Sequence, residues 1–193
     1  MLSLLSETCP AWVEVAARDL DALLSDHAHC ELKAAHNALS LAGRFGGEQA
    51  HMVAPLVALA EEETAHFAAV HQRLVVRGAA LARPGSDRYV VALRGAAHHL
   101  PSVPALLDRL TVAALIEARS CERFLRLSEG LPCARLRSFY RELMGSEARH
   151  YRLFSGFAEQ IFGVEVARQR RRQLAELEAQ IVERSPLTPT VHG

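Results

Sequence analysis

The sequence has little lysine, few cysteines and few runs of β-branched residues, and each shortage narrows the class of protein. Of its 22 basic residues, 21 are arginine and only Lys33 is lysine. Its four cysteines form no Cys-x-x-Cys pair, which argues against a zinc knuckle or a rubredoxin-type iron site. We expect free thiols in a reducing compartment. Half of the residues are hydrophobic, and alanine and leucine dominate them, so the composition favours helix.

The sequence also lacks a secretory signal and any apolar run approaching the ~18 residues that a membrane helix needs. These absences predict a soluble, cytoplasmic protein with no membrane partner. A chain of 193 residues is long enough to bury a core, and one domain is the default at this length. We therefore expect a single helical domain over residues 1–185 and a flexible tail over 186–193.

Charge is distributed unevenly although the net charge is zero. Residues 1–66 contain 10 acidic and 3 basic groups, whereas residues 67–172 contain 9 acidic and 18 basic groups. Because arginine forms bidentate pairs with phosphate, this central excess allows a nucleic-acid partner. The alternative explanation is a GC-rich genome, which encodes arginine in place of lysine. The run 168–172 is interpreted as a solvated helix face.

Apolar residues at helical spacing predict a short first helix followed by four long ones and a C-terminal helix. The predicted ranges are 10–17, 20–42, 55–77, 104–127, 132–163 and 164–183. Short loops join the long helices in pairs, and a connection over 78–103, with one short helix, separates the two pairs. One long crossover is typical of ferritin-like four-helix bundles, so we predict an all-α bundle of that type with extra N- and C-terminal helices.

Two Glu-x-x-His tetrapeptides, 63–66 and 147–150, lie inside these long helices. A third copy, 48–51, follows two glycines and precedes Pro55, which indicates a turn rather than a site. The spacing pairs each motif with an upstream glutamate on the preceding helix: Glu31 lies 63 − 31 = 32 residues before Glu63, and Glu117 lies 147 − 117 = 30 residues before Glu147. The chain therefore reads as two similar half-sites.

These motifs predict a di-metal centre. Carboxylates on apolar helix stripes are costly to bury unless they pair or bind metal, and two divalent cations would balance four of them. Glutamate and histidine at i and i+3 project from the same side of a helix, and mixed carboxylate–imidazole ligation suits iron or manganese. The predicted ligands are Glu31, Glu63, His66, Glu117, Glu147 and His150.

The residues around the predicted ligands are interpreted as supporting groups. Glu62 and Ser146 directly precede the two motif glutamates, so the second half-site must be tuned differently from the first. The histidines that flank Glu31 (His27, His29 and His36) are predicted to support it rather than bind metal. Cys121, one turn after Glu117, is either a packing residue or part of a dioxygen pocket.

Four strings around these residues resemble the tRNA 2-methylthio-N6-isopentenyladenosine hydroxylase family. They are DHAHCELKAA at 26–35, EEETAHF at 61–67, LIEARSCERF at 115–124 and SEARHY at 146–151, and the third is the most specific. The resemblance implies a non-haem di-iron monooxygenase that hydroxylates the isopentenyl group of a modified adenosine near the tRNA anticodon. It also implies that the six predicted ligands bind iron, that dioxygen is the co-substrate and that an electron-transfer protein supplies electrons.

Several expectations rest on this resemblance or compete with it. Arg119, Arg123 and Arg126 are a candidate part of a surface that contacts tRNA, in which case affinity should fall with salt. The ligand set alone also fits iron oxidation or storage, a hydroxylase of quinone intermediates and a manganese catalase. A metal-free helical interaction module is the remaining alternative. Neither the oligomeric state nor the electron donor follows from the sequence.

Overall fold

The computed structural model describes residues 2–192, and within this range it contains seven α-helices and no strand. The helices are α1 (Ala11–Arg18), α2 (Leu20–Phe45), α3 (Val53–Val76), α4 (Arg88–His99), α5 (Ala105–Gly130), α6 (Ala134–Phe162) and α7 (Val164–Arg184), with a 3₁₀ turn at Ala50–Met52. Among the described residues, no helix is long and apolar enough to cross a membrane.

The helices agree with those predicted, apart from their ends. Helix α2 continues through Gly43 to Phe45, and α5 includes Gly130 as its last residue. A lone glycine costs a helix only about 1 kcal/mol, which the packing of a long amphipathic helix outweighs. The third Glu-x-x-His copy falls in the turn before α3, and both Glu48 and His51 are exposed. Its position in a turn agrees with the prediction.

One compact unit comprises Arg18–Ser86 together with Pro189–Val191. Helix α2 begins after Asp19, whose side chain accepts a hydrogen bond from the backbone N–H of Ala22 at 3.0 Å, a standard N-terminal cap. Helices α2 and α3 pack along their length. The C-terminal segment joins this unit through the backbone N–H of Val191, which donates to Asp26 at 2.7 Å.

The buried face of α2 corrects one sequence prediction. Leu39, predicted to lie on the apolar stripe, is 48% exposed. The buried face instead extends to the other side of Glu31 and includes Leu23, His27 and Leu41. Most of the predicted stripe is confirmed, since Leu24, Ala28, Ala35 and Ala38 are buried. Only its edge was misplaced, because leucine and alanine are so frequent on α2 that more than one face looks apolar.

The second unit comprises Asp87–Thr188 with the N-terminal segment to Ala17 and His192. Its central element is α5, in which 18 of 26 residues are buried. Helices α4, α5 and α7 share an apolar cluster. Helices α6 and α7 are joined by Gly163, whose φ of +87° favours glycine.

The C-terminal residues that the structure describes contact this second unit. The Trp12 side chain donates to the Thr188 carbonyl at 3.1 Å, and His192 lies 3.0 Å from Ser120 and stacks on Tyr89. The single domain over 1–185 and the flexible tail over 186–193 stay predictions, and residues 1 and 193 lie outside the described range.

Candidate functional site

Helices α2 and α3 bring together three of the predicted ligands, here called the α2–α3 cluster: Glu31, Glu63 and His66. The Nδ1 atom of His66 lies 3.0 Å from Glu63 Oε2 and 3.9 Å from Glu31 Oε2. Both carboxylates are buried, whereas the His66 side chain is 14% exposed. Two carboxylate oxygens and one imidazole nitrogen therefore converge within one helical hairpin.

Two further side chains surround the α2–α3 cluster. His27, one turn before Glu31 and fully buried, places its Nε2 2.6 Å from Glu31 Oε1. Glu62 Oε1 lies 3.8 Å from Nε2 of His66, on the opposite side of the ring from the converging oxygens. The contact of His27 with Glu31 agrees with the supporting role predicted for it, which stays a prediction. His29 contacts the Ala82 carbonyl, and His36 is exposed.

Helices α5 and α6 form a matching arrangement, the α5–α6 cluster: Glu117, Glu147 and His150. The Nδ1 atom of His150 is 3.9 Å from both Glu117 Oε2 and Glu147 Oε1. All three side chains are buried, and that of His150 is 4% exposed. Ser146, next to the motif glutamate, accepts a hydrogen bond from Arg149 at 2.9 Å and does not orient His150 as a carboxylate would.

Each cluster fits a metal ion by donor chemistry and by spacing. Metal–ligand bonds of about 2.1 Å place neighbouring donor atoms about 3–4 Å apart, which is the range seen in both clusters. Buried carboxylates carry a large desolvation cost that a divalent cation offsets. Oxygen and imidazole donors without thiolate suit iron or manganese. The combination of all six residues in one centre stays a prediction.

Cys121 is buried one turn beyond Glu117, and its Sγ donates to the Met144 carbonyl at 3.4 Å. Burial raises the pKa of this thiol to about 11, and the nearby carboxylates of Glu122 and Glu117 act in the same direction. The thiol is therefore neutral at physiological pH and packs between α5 and α6. A role in a dioxygen pocket stays a prediction.

The arginines of α5 form a buried ion network instead of the predicted tRNA surface. Arg119 is fully buried and donates to Glu178 of α7 at 2.8 and 3.0 Å and to Glu122 at 3.1 Å. Tyr89 also donates to Glu178, at 3.0 Å. The prediction that Arg119 and Arg123 contact phosphate is wrong, because charges paired inside the protein cannot reach an external ligand.

The remaining members of this network are also paired. Arg126 pairs with Glu122 and Glu7, and Thr8 donates to Glu122 at 2.5 Å. Although burial alone raises it, these donors lower the net pKa of Glu122. Burial lowers the pKa of Arg123 to about 10, and its guanidinium stacks over Trp12. Arg170, predicted to lie on a solvated face, is buried and pairs with Asp108 at 2.7 Å.

Sequence patterns contain one signal for this network. Glu178 lies in phase with Leu174 and Ile181 on α7, so a carboxylate falls on an apolar stripe, as it does for the glutamates predicted to bind metal. The same signal thus marks both ligands and buried ion pairs. Only the partner, an arginine in one case and an imidazole in the other, separates the two.

The chain is similar to a known protein family over nearly its whole length. A family described as tRNA-(MS[2]IO[6]A)-hydroxylase (MiaE) matches residues 2–193. A Pseudomonas putida protein named tRNA 2-(methylsulfanyl)-N(6)-isopentenyladenosine(37) hydroxylase is 41% identical, over 74% of this chain and 70% of the relative. A Salmonella typhimurium protein of the same name is 30% identical, over 90% of this chain and 82% of the relative.

A solved structure, described as protein 43 with aldehyde deformylating oxygenase activity from Synechococcus, resembles the chain with a TM-score of 0.90. The two are 35% identical, and the similarity covers 98% of this chain and 95% of that chain. The predicted all-α, ferritin-like fold is confirmed.

Proposed function

Because the chain belongs to the tRNA-(MS[2]IO[6]A)-hydroxylase (MiaE) family, it is a tRNA-modifying hydroxylase, and we propose that it acts at adenosine 37. The substrate group is the isopentenyl chain of 2-(methylsulfanyl)-N6-isopentenyladenosine, the nucleoside in the names of both relatives. The observation that carries this proposal is the family match over residues 2–193 together with two buried carboxylate–imidazole clusters.

We propose that the two clusters supply the ligands of a di-iron centre. Each hairpin offers two carboxylates and one imidazole, so together they provide four negative charges for two Fe²⁺ ions. The ligands on this proposal are Glu31, Glu63, His66, Glu117, Glu147 and His150. The burial of the carboxylates supports it, because four such groups without cations would carry a large desolvation cost.

The reaction requires a strong oxidant and a source of electrons. When bound, the iron pair supplies the dioxygen chemistry that attacks an unactivated C–H bond. One oxygen atom enters the C–H bond as a hydroxyl and the other leaves as water. That balance consumes two electrons and two protons, so an external electron-transfer protein is part of the proposal. The protein's own residues hold the metals and keep the ligands dry, and a tRNA substrate places the reaction in the cytoplasm.

Metal content and tRNA modification test the proposal together. We expect two irons per chain in anaerobically purified protein, and neither Glu63→Ala nor His150→Ala should retain both. With reductant and dioxygen, tRNA bearing the isopentenyl nucleoside should gain one oxygen atom, measured by mass spectrometry of the digested nucleosides. Glu61→Ala and Glu129→Ala, exposed residues on α3 and α5, are matched controls that should behave as wild type. Wild-type protein without stoichiometric metal would refute the di-iron proposal.

An aldehyde oxygenase activity is the second candidate, because the Synechococcus structure described by that activity superposes on nearly the whole chain. The same iron-loaded protein should be offered an aldehyde in place of tRNA. Turnover of the aldehyde, with unmodified tRNA recovered unchanged, would replace the hydroxylase assignment. Hydrogen peroxide turnover by a manganese-loaded sample would identify a catalase in the same experiment.

A further inference from the structure

Among the described helices, α6 exposes the most arginines. Nine α6 residues are exposed, of which four are arginine and only one, Glu142, is acidic. The four are Arg135, Arg141, Arg149 and Arg152. Part of the arginine excess elsewhere lies in the interior, since Arg119, Arg123 and Arg170 are buried. Among the described helices, α6 therefore has the largest excess of exposed arginine over exposed acidic residues, 4 − 1 = 3.

The other helices show a smaller excess or none. Helix α4 exposes two arginines, Arg88 and Arg94, and no acidic residue. On α7, three exposed arginines are balanced by three exposed glutamates, and Arg168 and Arg171 lie 3.7 and 3.0 Å from Glu159. Helix α2 exposes one acidic residue and one arginine, and Glu61 is the only charged residue that α3 exposes. Within residues 2–192, Arg135, Arg141 and Arg152 form no salt bridge, so their guanidinium groups point to solvent uncompensated.

The same face of α6 carries two glycines that the fold itself does not require. A Cβ at Gly156 would meet nothing within 4 Å, and one at Gly145 would meet only the Arg149 side chain at 3.9 Å. A glycine inside a helix costs about 1 kcal/mol relative to alanine. Neither is needed for packing inside the protein. Gly145 between the arginines, and Gly156 one turn beyond Arg152, leave room for an external backbone to approach the helix closely.

We propose that the outer face of α6, from Arg135 to Arg152, binds the sugar–phosphate backbone of the tRNA substrate. This inference rests on the proposed function, since it names the surface by which that substrate is held. Arginine is the side chain best suited to phosphate, because its planar guanidinium donates two parallel hydrogen bonds. At 1.5 Å per residue, this outer face is about 25 Å long, enough for several consecutive phosphates.

The composition of this outer face favours a nucleic acid over an anionic membrane. Helices that lie on lipid surfaces combine a basic edge with large apolar side chains that enter the bilayer. Among the described residues, no large exposed hydrophobic side chain lies on α6. The exposed face contains only arginine, glutamate, serine, glutamine, alanine and glycine. Such a surface attracts phosphate by charge and offers nothing to hydrocarbon.

Binding of tRNA to an Arg141→Gln/Arg152→Gln variant tests the inference. The probe is full-length tRNA bearing the isopentenyl nucleoside, labelled for fluorescence anisotropy, at several salt concentrations. We expect affinity to fall about tenfold or more at low salt and the salt dependence to weaken by about two units of slope, one for each lost phosphate contact. Arg168→Gln/Arg172→Gln on α7 is the matched control and should bind like wild type. Iron content measures whether each variant keeps its fold.

The outcomes separate this inference from the proposed function. If wild-type protein hydroxylates tRNA and the α6 variant binds it with unchanged affinity and slope, the α6 surface is not the RNA-binding surface. The inference is equally overturned if the variant binds tRNA normally but accepts electrons more slowly from an acidic donor protein. If wild-type protein neither binds nor modifies tRNA, the proposed function itself fails.

Discussion

The two helical hairpins of this protein carry the same types of candidate metal ligand in different surroundings. In both, a glutamate on the first helix faces a Glu-x-x-His pair on the second, with separations of 63 − 31 = 32 and 147 − 117 = 30 residues. The α2–α3 cluster is partly open, since the His66 side chain is 14% exposed. The α5–α6 cluster is closed, with His150 at 4%. Repetition of a ligand pattern therefore does not repeat its solvent access.

The hydrogen bonding of the first glutamate also differs. Glu31 has a buried histidine one turn earlier, His27, whereas the equivalent position before Glu117 is Ala113. Conversely, the helix that carries Glu117 contains the Arg119–Glu122 pair, and within residues 2–192 every buried arginine belongs to the unit containing α5 and α6. In the unit containing α2 and α3, a neighbouring imidazole contacts the candidate ligand Glu31. In the unit containing α5 and α6, buried ion pairs hold the helix that carries the candidate ligand Glu117.

Loss of a ligand imidazole should have the largest effect and should reveal the difference in access. We expect His66→Gly and His150→Gly each to lose iron and to reduce hydroxylation by about 100-fold or more, beyond what loss of an outer hydrogen-bond partner costs. Added imidazole should restore iron content in His66→Gly, because solvent reaches that position. It should restore little in His150→Gly. Equal rescue of the two variants would show that both clusters are open to solvent.

Removal of the carboxylate at Glu178 should destabilise the unit that contains α5. Glu178→Gln keeps the shape of the side chain but leaves the buried Arg119 charge without its strongest partner. Breaking a buried ion pair in this way costs about 3–5 kcal/mol. Urea unfolding of the metal-free protein measures the free energy of unfolding. Glu176→Gln, exposed on the same helix, should change it by less than about 0.5 kcal/mol.

A change below about 1 kcal/mol in Glu178→Gln would mean that Glu122 and the Ser6 carbonyl, which also accept from Arg119, suffice to compensate its charge. The α5 helix would then owe its position to apolar packing alone. That result would remove one of the two differences between the hairpins and leave only the contrast in solvent access.

His27 offers a test of how Glu31 is held. With Glu31 Oε1 bonded to His27 at 2.6 Å, Oε2 is the oxygen turned toward His66. We expect His27→Leu to weaken binding of one metal ion by about 10–100-fold, measured by titration with Co²⁺. His27→Gln, whose amide N–H can donate to the same oxygen, should recover most of the affinity. His36→Gln, exposed on the same helix, should have no effect.

A failure of His27→Gln to recover affinity would contradict a positioning role and would indicate that the imidazole itself binds metal. A double substitution with Glu31→Gln provides a second check. If His27 acts only through Glu31, His27→Leu should add little further loss in that background.

Sequence patterns predicted the helices, the connection lengths and which candidate ligands each hairpin brings together, because these depend on local periodicity. That these residues bind metal stays a prediction. Glu63, Glu117 and Glu147 all lie on stripes whose neighbours are buried as expected. The edge of the buried face of α2 was harder to predict, because an alanine- and leucine-rich helix has apolar residues on several faces. Leu39, predicted to be buried at that edge, is therefore exposed.

The arginines show what local patterns could not provide. Arg119 looks like a surface residue in sequence, since charged residues are rarely buried unless paired. Its partner Glu178 is 59 residues away on α7, and Tyr89 approaches from α4. Such a pairing depends on the tertiary arrangement of three helices, which no local window contains. The sequence alone therefore does not separate the exposed arginines of α6 from the buried arginines of α5 and α7.

The two thiols of the α5–α6 hairpin, Cys121 and Cys133, should differ in reactivity. This is the smallest of the predicted effects. Alkylation requires the thiolate. Burial raises the pKa of Cys121 to about 11, whereas the backbone N–H of Leu136, at the start of α6, lowers the pKa of the exposed Cys133.

At pH 7–8 iodoacetamide should therefore modify Cys133 before Cys121. Cys121 should stay unmodified until the pH approaches its pKa or the protein unfolds. Mass spectrometry of the digested protein, with Cys133→Ser as the control, measures each thiol separately from the exposed Cys9. Alkylation of Cys121 in the folded protein at the rate of Cys133 would mean that solvent enters the hairpin interior, and the contrast between a closed α5–α6 cluster and an open α2–α3 cluster would fail.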